Sequence, residues 1–549
     1  MKRILVVFAV LCLLAAPSLS AQSRGLQAIR AADMKTHLEF LSAKEFEGRS
    51  APSAALNIAS RYIALQAQRI GLKPILHSGS YLQQIPVEVT TLSPAQSKLR
   101  IISPGGELVF DFPKSFGVNV RTGGEGVVSG GLVFLGTLLS GPSADWAGLT
   151  LPDLKGKIVM LLDIPAPSPA SPAAAPAGSP AMTRVRFLRE KGAVGLLTVI
   201  SAERESIFLE RGFDFDIGER LRFPEVDTSI PGAPTPAPVQ GPAAGPFFQL
   251  ELRHEAGAAI LGIPWTEMEA IYAGSARGKA VGSKEWPNHL VQISLAYETH
   301  RTTTSNVVAW IEGTDAALKA EYVTISSHLD HLPMREGRIF PGADDNGSGA
   351  VAMLSLAQAM MIERPKRSVI FVWNTAEEKG LIGSYYFVQH CPVPVEKISA
   401  NLNFDMISRN DPNMIYLIGS NKLSTELDAA IHAANDKSVR MKLDYTFESP
   451  AHPDQFFFRS DQYPYIRYGI PAVWFFCGTT PDYHTDGDTF ERADLAKAEK
   501  VAKLVYLTCW DIGNKPALLK LDLHPEITAR GRAAMKINWR NPPPPAEKK

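Results

Sequence analysis

Residues 368–384 read SVIFVWNTAEEKGLIGS, and this stretch decides how the second half of the chain folds. A short apolar run, SVIFVW, is too short for a helix and has the look of a strand buried on both faces. The acidic pair Glu377–Glu378 follows it at once, and Gly380 opens a second apolar run, GLIGSYYFVQH, with helical character. Strand, polar turn, helix is the unit of an α/β sheet. Neighbouring acids at a strand end point in different directions, so one can ligate a cation while its neighbour faces a bound water. Two solvated surface acids are the plain alternative, and they fit poorly just beyond a buried strand.

The same unit recurs outward from this point. VQISLAYETH, SNVVAWIEGT and EYVTISSH are strand-like, GSGAVAMLSLAQAM is helical, and ISANLNFDM is a strand. STELDAAIHAAND is a helix, PAVWFF a strand, and DLAKAEKVAKLVYLTCWDI a closing helix. The alternation argues for an α/β sandwich with a mixed, mostly parallel sheet. Nearer the N-terminus, Ile58, Tyr62 and Leu65 at helical spacing predict a helix over 56–70, ended by Gly71 and Pro74. YLQQIPVEVTTL then reads as a strand.

Chemistry-bearing residues stand at the ends of these runs. They lie in TISSHLDHLP (324–333), FPGADDNGSGA (340–350), the Glu377–Glu378 pair, NLNFDMIS (401–408) and DYHTDGDT (482–489). His328, Asp344, Glu378, Asp405 and His484 form a set of two imidazoles and three carboxylates suited to a pair of hydrolytic metal ions, with Glu377 to spare. Each motif is weak alone. His-x-Asp occurs three times, and two acids in a Gly-rich turn serve equally well as a helix cap. Asp405 ends the apolar run NLNF, where an acid is costly unless paired or metal-bound. All of them falling by accident at strand ends is the reading that fails. Within His328-Leu-Asp330, the acid is expected to hold the far ring nitrogen of His328. No Cys stands among the candidates, which suits a hydrolytic divalent ion rather than a structural zinc knuckle.

Composition bounds the rest. The 549 residues exceed one core, and two or three domains are expected. Lys+Arg and Asp+Glu both number 56, and no basic stripe suggests nucleic acid. Lys2 and Arg3 precede an apolar run from Ile4 to Ala16, followed by PSLSAQS, so residues 1–21 read as a signal peptide cleaved near Ser20 or Ala21. An exported protein, periplasmic or extracellular, with no membrane span is expected. Cys391, Cys477 and Cys509 remain after the signal, too few for a disulfide framework, and Cys477 and Cys509 look like buried small apolar positions. Between about 105 and 285 the character changes: Gly and β-branched residues become frequent, and two Pro/Ala-rich stretches, 165–180 and 231–246, read as exposed loops.

With these residues assembled, the chain resembles the secreted di-zinc exopeptidases of the leucyl-aminopeptidase and glutamate-carboxypeptidase type. LSAKEFEGRSAP, HLDH, GADDNGSG, NTAEEKGLIGS, NFDMIS, FRSDQYPYIRYGIPAV and YHTDGDT carry the resemblance in order. It implies a zinc-exopeptidase fold, a three-layer sandwich, and two zinc ions or other divalent ions. It implies that Asp344 bridges both ions, with Glu378 and His484 at one and His328 and Asp405 at the other. Glu377 would be the general base, taking a proton from a water between the ions and delivering it to the leaving amine. Asp330 would orient His328, and a strained cis peptide is expected where Asp345 follows the bridging acid. Tyr483 and Arg459 stand where relatives bind the oxyanion or the amino end of the substrate. Residues 105–285 resemble a protease-associated domain inserted between catalytic segments 22–104 and 286–516, with a partly disordered tail over 517–549. Peptide or protein N-termini are the implied substrate. A carboxypeptidase for acidic C-terminal residues, a glutaminyl-cyclase-like acyltransferase and a receptor-like binding protein are the alternatives.

Overall fold

The apolar runs of the second half fold as strands of one sheet. Its ten strands include β1 (Leu82–Leu92), β2 (Tyr297–Ile311), β3 (Tyr322–His328), β4 (Ser368–Asn374), β5 (Ile398–Phe404), β6 (Met414–Ile418), β7 (Lys442–Asp444) and β8 (Ala472–Phe476). They lie in the order β7-β6-β8-β5-β3-β4-β2-β1. β3 runs parallel to β4 and β5, and β5 parallel to β8. β6 and β2 run antiparallel to their inner neighbours. Every residue of β4, β5 and β8 is buried, which explains why these strands are continuously apolar rather than alternating.

Parallel pairing matters because it sends the carboxyl ends of β3, β4, β5 and β8 to one edge. The register aligns His328 with Asn374, Ser326 with Asn403, and Phe404 with Phe475. Residues just past these positions therefore meet, however far apart they stand in sequence. That edge is where α/β sheets place their sites.

The computed structural model describes residues 24–118, 124–139, 146, 148–163, 180–202, 205, 219–228, 247–276, 283–335, 337–449, 452–523, 527–528 and 534–535. The expected leader over 1–21, nearly all of the two Pro/Ala-rich stretches and the tail after residue 535 lie outside them. The chain divides into two units: 1–87, 223–233 and 302–549 form one, and 88–222 with 234–301 the other. In the first, α1 (Ala31–Leu41), α2 (Ala54–Ile70) and α6 (Leu495–Asn514) pack on α3 (Gly349–Ile362); α4 (Ile382–Gln389) and α5 (Thr425–Lys437) complete the main helices. α3 is apolar around its circumference and buried accordingly. α2 is capped by the Ser53 side chain and by Gly71, but its buried stripe is Leu56, Ala59, Ile63 and Ala67. Ile58 and Leu65 of the expected stripe are exposed.

The second unit is built on an eight-stranded sheet with its own core, including Leu99, Ile158, Leu197, Phe248 and Ile293. Strands Gly126–Gly136, Lys157–Leu162, Gly195–Val199 and Phe248–Leu252 pair parallel in succession. The segment VQISLAYETH, expected as one strand, is divided at Ala296. Val291–Leu295 pairs within the second unit's sheet, and β2 begins at Tyr297. Ala296 is held at the break by backbone and side-chain bonds to Ser93 and Ser97. Cys391, Cys477 and Cys509 are free, with Cys477 and Cys509 buried. Among the described residues, no helix is long and apolar enough to cross a membrane.

Candidate metal centre

His328 is the last residue of β3 and fully buried. Its Nε2 lies 3.3 Å from Asp405 Oδ1 and 3.3 Å from Asp345 Oδ1. Asp405 follows β5 directly, and its other oxygen accepts a bond from Ser460 at 2.5 Å. Burial pushes the Asp405 carboxyl up to about 6 against the opposing effect of His328.

The second carboxylate oxygen of Asp345 faces a different set. His484 Nε2 lies 3.1 Å from Asp345 Oδ2 and 3.3 Å from Glu378 Oε1. His331 Nδ1 lies 3.0 Å from Glu378 Oε1 and 3.7 Å from Asp345 Oδ2. Asp345 thus stands between the two groups, one oxygen toward each. Burial alone would raise its pKa, but the three imidazoles around it hold it well below the usual range.

This position corrects the assignment of Asp344. Its carboxylate turns away: Oδ1 accepts bonds from the Ser408 amide at 2.7 Å and hydroxyl at 2.8 Å, and Oδ2 accepts from the Cys477 thiol at 3.3 Å. The two acids sit in one tight turn, so successive side chains diverge, and only one can look into the cleft. The Asp488 carboxylate fixes which, accepting the amides of both Asp344 and Asp345. The cis peptide joins Asp345 to Asn346, one bond beyond the expected place.

Asp330 also differs from expectation. His328 Nδ1 meets the backbone carbonyl of Asp330 at 3.0 Å, while the nearer carboxylate oxygen is 3.9 Å away. That carboxylate accepts the amides of Glu377 at 3.0 Å and Glu378 at 3.3 Å instead. Asp330 therefore anchors the turn after β4 with its side chain and orients His328 with its main chain. Glu377 is buried beside this turn, and burial raises its carboxyl well above the usual range; the nearby charges of Glu378 and Asp405 add to the rise, and His328 opposes it.

Sequence reading passed over three residues. His331 closes the HLDH motif, three residues after His328. Asp488 lies in YHTDGDT, and its spacing from His484 was the only signal. Arg49, in EGRSAP, is buried and donates to the carbonyls of Leu41, Leu329, Pro341 and Gly342, tying the His328 and Asp345 loops together. No local pattern announces a guanidinium spent wholly on carbonyls.

The donors open onto a cleft. Tyr483 and Arg459 both line it, and Arg459 Nη2 donates to the Tyr483 hydroxyl at 2.9 Å. The Tyr483 ring stacks on His484 with centroids 3.9 Å apart. Met406, Phe456, Trp474 and Phe476 give the cleft an apolar wall.

The donor set fits divalent cations. Among the described residues, the ion pairs of Asp345, Glu378 and Asp405 involve imidazoles alone, with no Lys or Arg. Buried carboxylates without a fixed cation are costly. Donors bonded to zinc at ordinary lengths in a tetrahedral shell lie about 3.3 Å apart, and both groups have that spacing.

Residues 306–509 match peptidase family M28. Leucine aminopeptidase 2 of Arthroderma otae is 29% identical over 275 residues, covering 48% of this chain and 47% of that protein. A probable leucine aminopeptidase 2 of Aspergillus oryzae is 34% identical over 177 residues, covering 32% of this chain and 34% of that protein. The chain thus spans less than half the length of these curated relatives. An aminopeptidase from Aneurinibacillus sp. strain AM-1 superposes over 92% of this chain and 98% of its own, with TM-score 0.54 and 20% identity. The zinc aminopeptidase of Bacillus subtilis does so over 91% and 99%, with TM-score 0.54 and 17% identity. At those identities the likeness is one of fold. The match to peptidase family M28 spans residues 306–509, which include His328, Asp345, Glu378, Asp405 and His484.

Proposed function

We propose that the protein is an exported two-metal aminopeptidase, with zinc or another divalent ion at each position. Asp345 would be shared, His328 and Asp405 would hold one ion, and Glu378 and His484 the other. The observation that carries the reading is the Asp345 carboxylate, whose two oxygens each face a separate buried set of donors. Ions held there would polarise the scissile carbonyl and lower the pKa of an attacking water. Glu377, with its proton affinity raised by burial, takes the proton from that water and passes it to the leaving amine. The Tyr483 hydroxyl accepts from Arg459, which leaves its own proton free to meet the carbonyl oxygen as charge develops there.

The apolar wall of Met406, Phe456, Trp474 and Phe476 suits an uncharged, bulky terminal side chain. An acidic C-terminal substrate would call for free basic groups. Arg459 is the basic residue lining the cleft, and its guanidinium is engaged with Tyr483 and lies 5.0 Å over the Phe456 ring. This weighs against the carboxypeptidase. The full donor set weighs against a single-zinc cyclase and a binding protein. The three-layer reading of the first unit and the protease-associated reading of the second remain part of this proposal, as does export, which the leader pattern supports.

The test incubates purified protein with free-amine, N-acetylated and C-terminally acidic peptides, with and without chelator. Release of apolar N-terminal residues from free-amine peptides alone, abolished by chelation and restored by Zn2+, is expected. Cleavage from the C-terminus, or indifference to chelation, overturns the proposal.

A further inference from the structure

We infer that His331 is a further ligand of the second ion, giving that position two imidazoles where the first has one. The inference rests on the two-ion reading above and extends it to a residue outside the expected set.

The geometry is that of a coordination shell. His484 Nε2 lies 3.1 Å from Asp345 Oδ2 and 3.3 Å from Glu378 Oε1, and His331 Nδ1 lies 3.7 and 3.0 Å from the same two oxygens; two donors that share one zinc ion at ordinary bond lengths are about 3.3 Å apart. His331, Asp345 and Glu378 each bring a donor atom within 4.8 Å of the others. The His331 and His484 rings meet edge-on, 5.7 Å between centroids and 75° apart, so two imidazoles approach the same spot without stacking.

The ring has nowhere else to act. It is fully buried, and its Nε2 meets no hydrogen-bond partner among the described residues. Nδ1, aimed at Glu378 and Asp345, is its polar engagement. Its placement is also built in. The His331 amide donates to the Arg49 carbonyl at 3.3 Å. Gly342, at φ 56, passes so close that a Cβ there would sit 2.6 Å from His331 Cγ and Cδ2. Glycine at 342 thus makes room for the imidazole, and the backbone it belongs to leads straight into Asp345.

A ligand differs from a hydrogen-bond donor to Glu378 in one observable: an imidazole on the ion. The chain is stripped of metal and reloaded with one equivalent of Zn2+, the better-liganded position filling first, and X-ray absorption counts imidazoles per ion. Two are expected in the natural protein and one in His331→Phe. A crystal structure of the doubly loaded protein should place His331 Nδ1 within about 2.3 Å of an ion. One imidazole in both samples, or Nδ1 beyond about 3 Å, overturns the inference even if His331→Phe cannot be prepared, since the natural protein alone decides. Uptake of fewer than two ions at saturation strikes the two-ion reading instead, and the imidazole count at one equivalent still decides the role of His331.

Discussion

The acids of the second unit and the acids of the candidate metal centre in the first are neutralised in different ways. In the second unit, Asp163 follows the apolar strand Lys157–Leu162 and pairs with Arg184 at 3.3 Å, and Glu205 pairs with Arg253 at 2.8 Å and His254 at 2.5 Å. In the first, Asp405 and Glu378 follow the apolar strands β5 and β4 and Asp345 stands in the turn before α3, yet their ion-pair partners among the described residues are imidazoles alone. An arginine is a cation at every relevant pH and leaves its acid no use for another. Imidazoles can be neutral, so acids surrounded by them still require positive charge from outside. Acids at the ends of buried strands occur in both units, and the kind of partner separates scaffold from site.

The sharpest way to break this contrast is Asp345→Asn, which removes the carboxylate shared by both donor groups. Metal content should fall from two ions per chain, and activity by more than the roughly 10–100-fold that outer partners of metal ligands cost. Asp344→Asn, one residue away, should keep both ions. Its neutral donors lose a charged acceptor, so only stability should fall, by about 1–2 kcal/mol. Equal metal loss in the two variants would return the shared position to the turn as a whole.

Glu377→Gln tests the acid that lines the cleft without belonging to either donor group. The ions should stay, and kcat should drop by about 10²–10⁴-fold. Elemental analysis beside steady-state kinetics separates this from ligand loss; near-normal turnover would remove Glu377 from the chemistry.

Asp330→Asn should have a smaller effect, about 10–100-fold on activity, because the His328 contact runs through a backbone carbonyl that the substitution keeps. The loss should appear through the Glu377–Glu378 turn, whose amides the carboxylate accepts. Loss of the ion at His328, read by metal analysis, would show that the side chain orients that ring after all.

Arg184→Met in the second unit should leave metal content and kcat unchanged. It removes the guanidinium that pairs with Asp163, and the midpoint of urea unfolding should fall, at a cost of about 1–3 kcal/mol. A change in metal affinity would contradict the division between structural and site acids.

Element types were largely legible in the sequence, because continuous apolar runs bounded by Gly and polar turns leave few alternatives, and β3, β4, β5 and β8 fall on them. So were the residue types of the site and their places at strand ends. Direction was not legible. Asp344 and Asp345 are the same amino acid in one turn, and Asp488, 143 residues further on, holds the amides that decide which faces the cleft. Asp330 looked like a side-chain partner of His328, but only folding brings the Glu377 amide within its reach. His331 is local in sequence and unremarked there, since its role depends on Glu378 and His484 arriving from other strand ends. Composition and periodicity are read along the chain, so the sequence by itself determined strands, helices and the inventory of donors. Which oxygen of which acid faces which imidazole depends on side-chain directions across parallel strands, and the tertiary structure alone decided that.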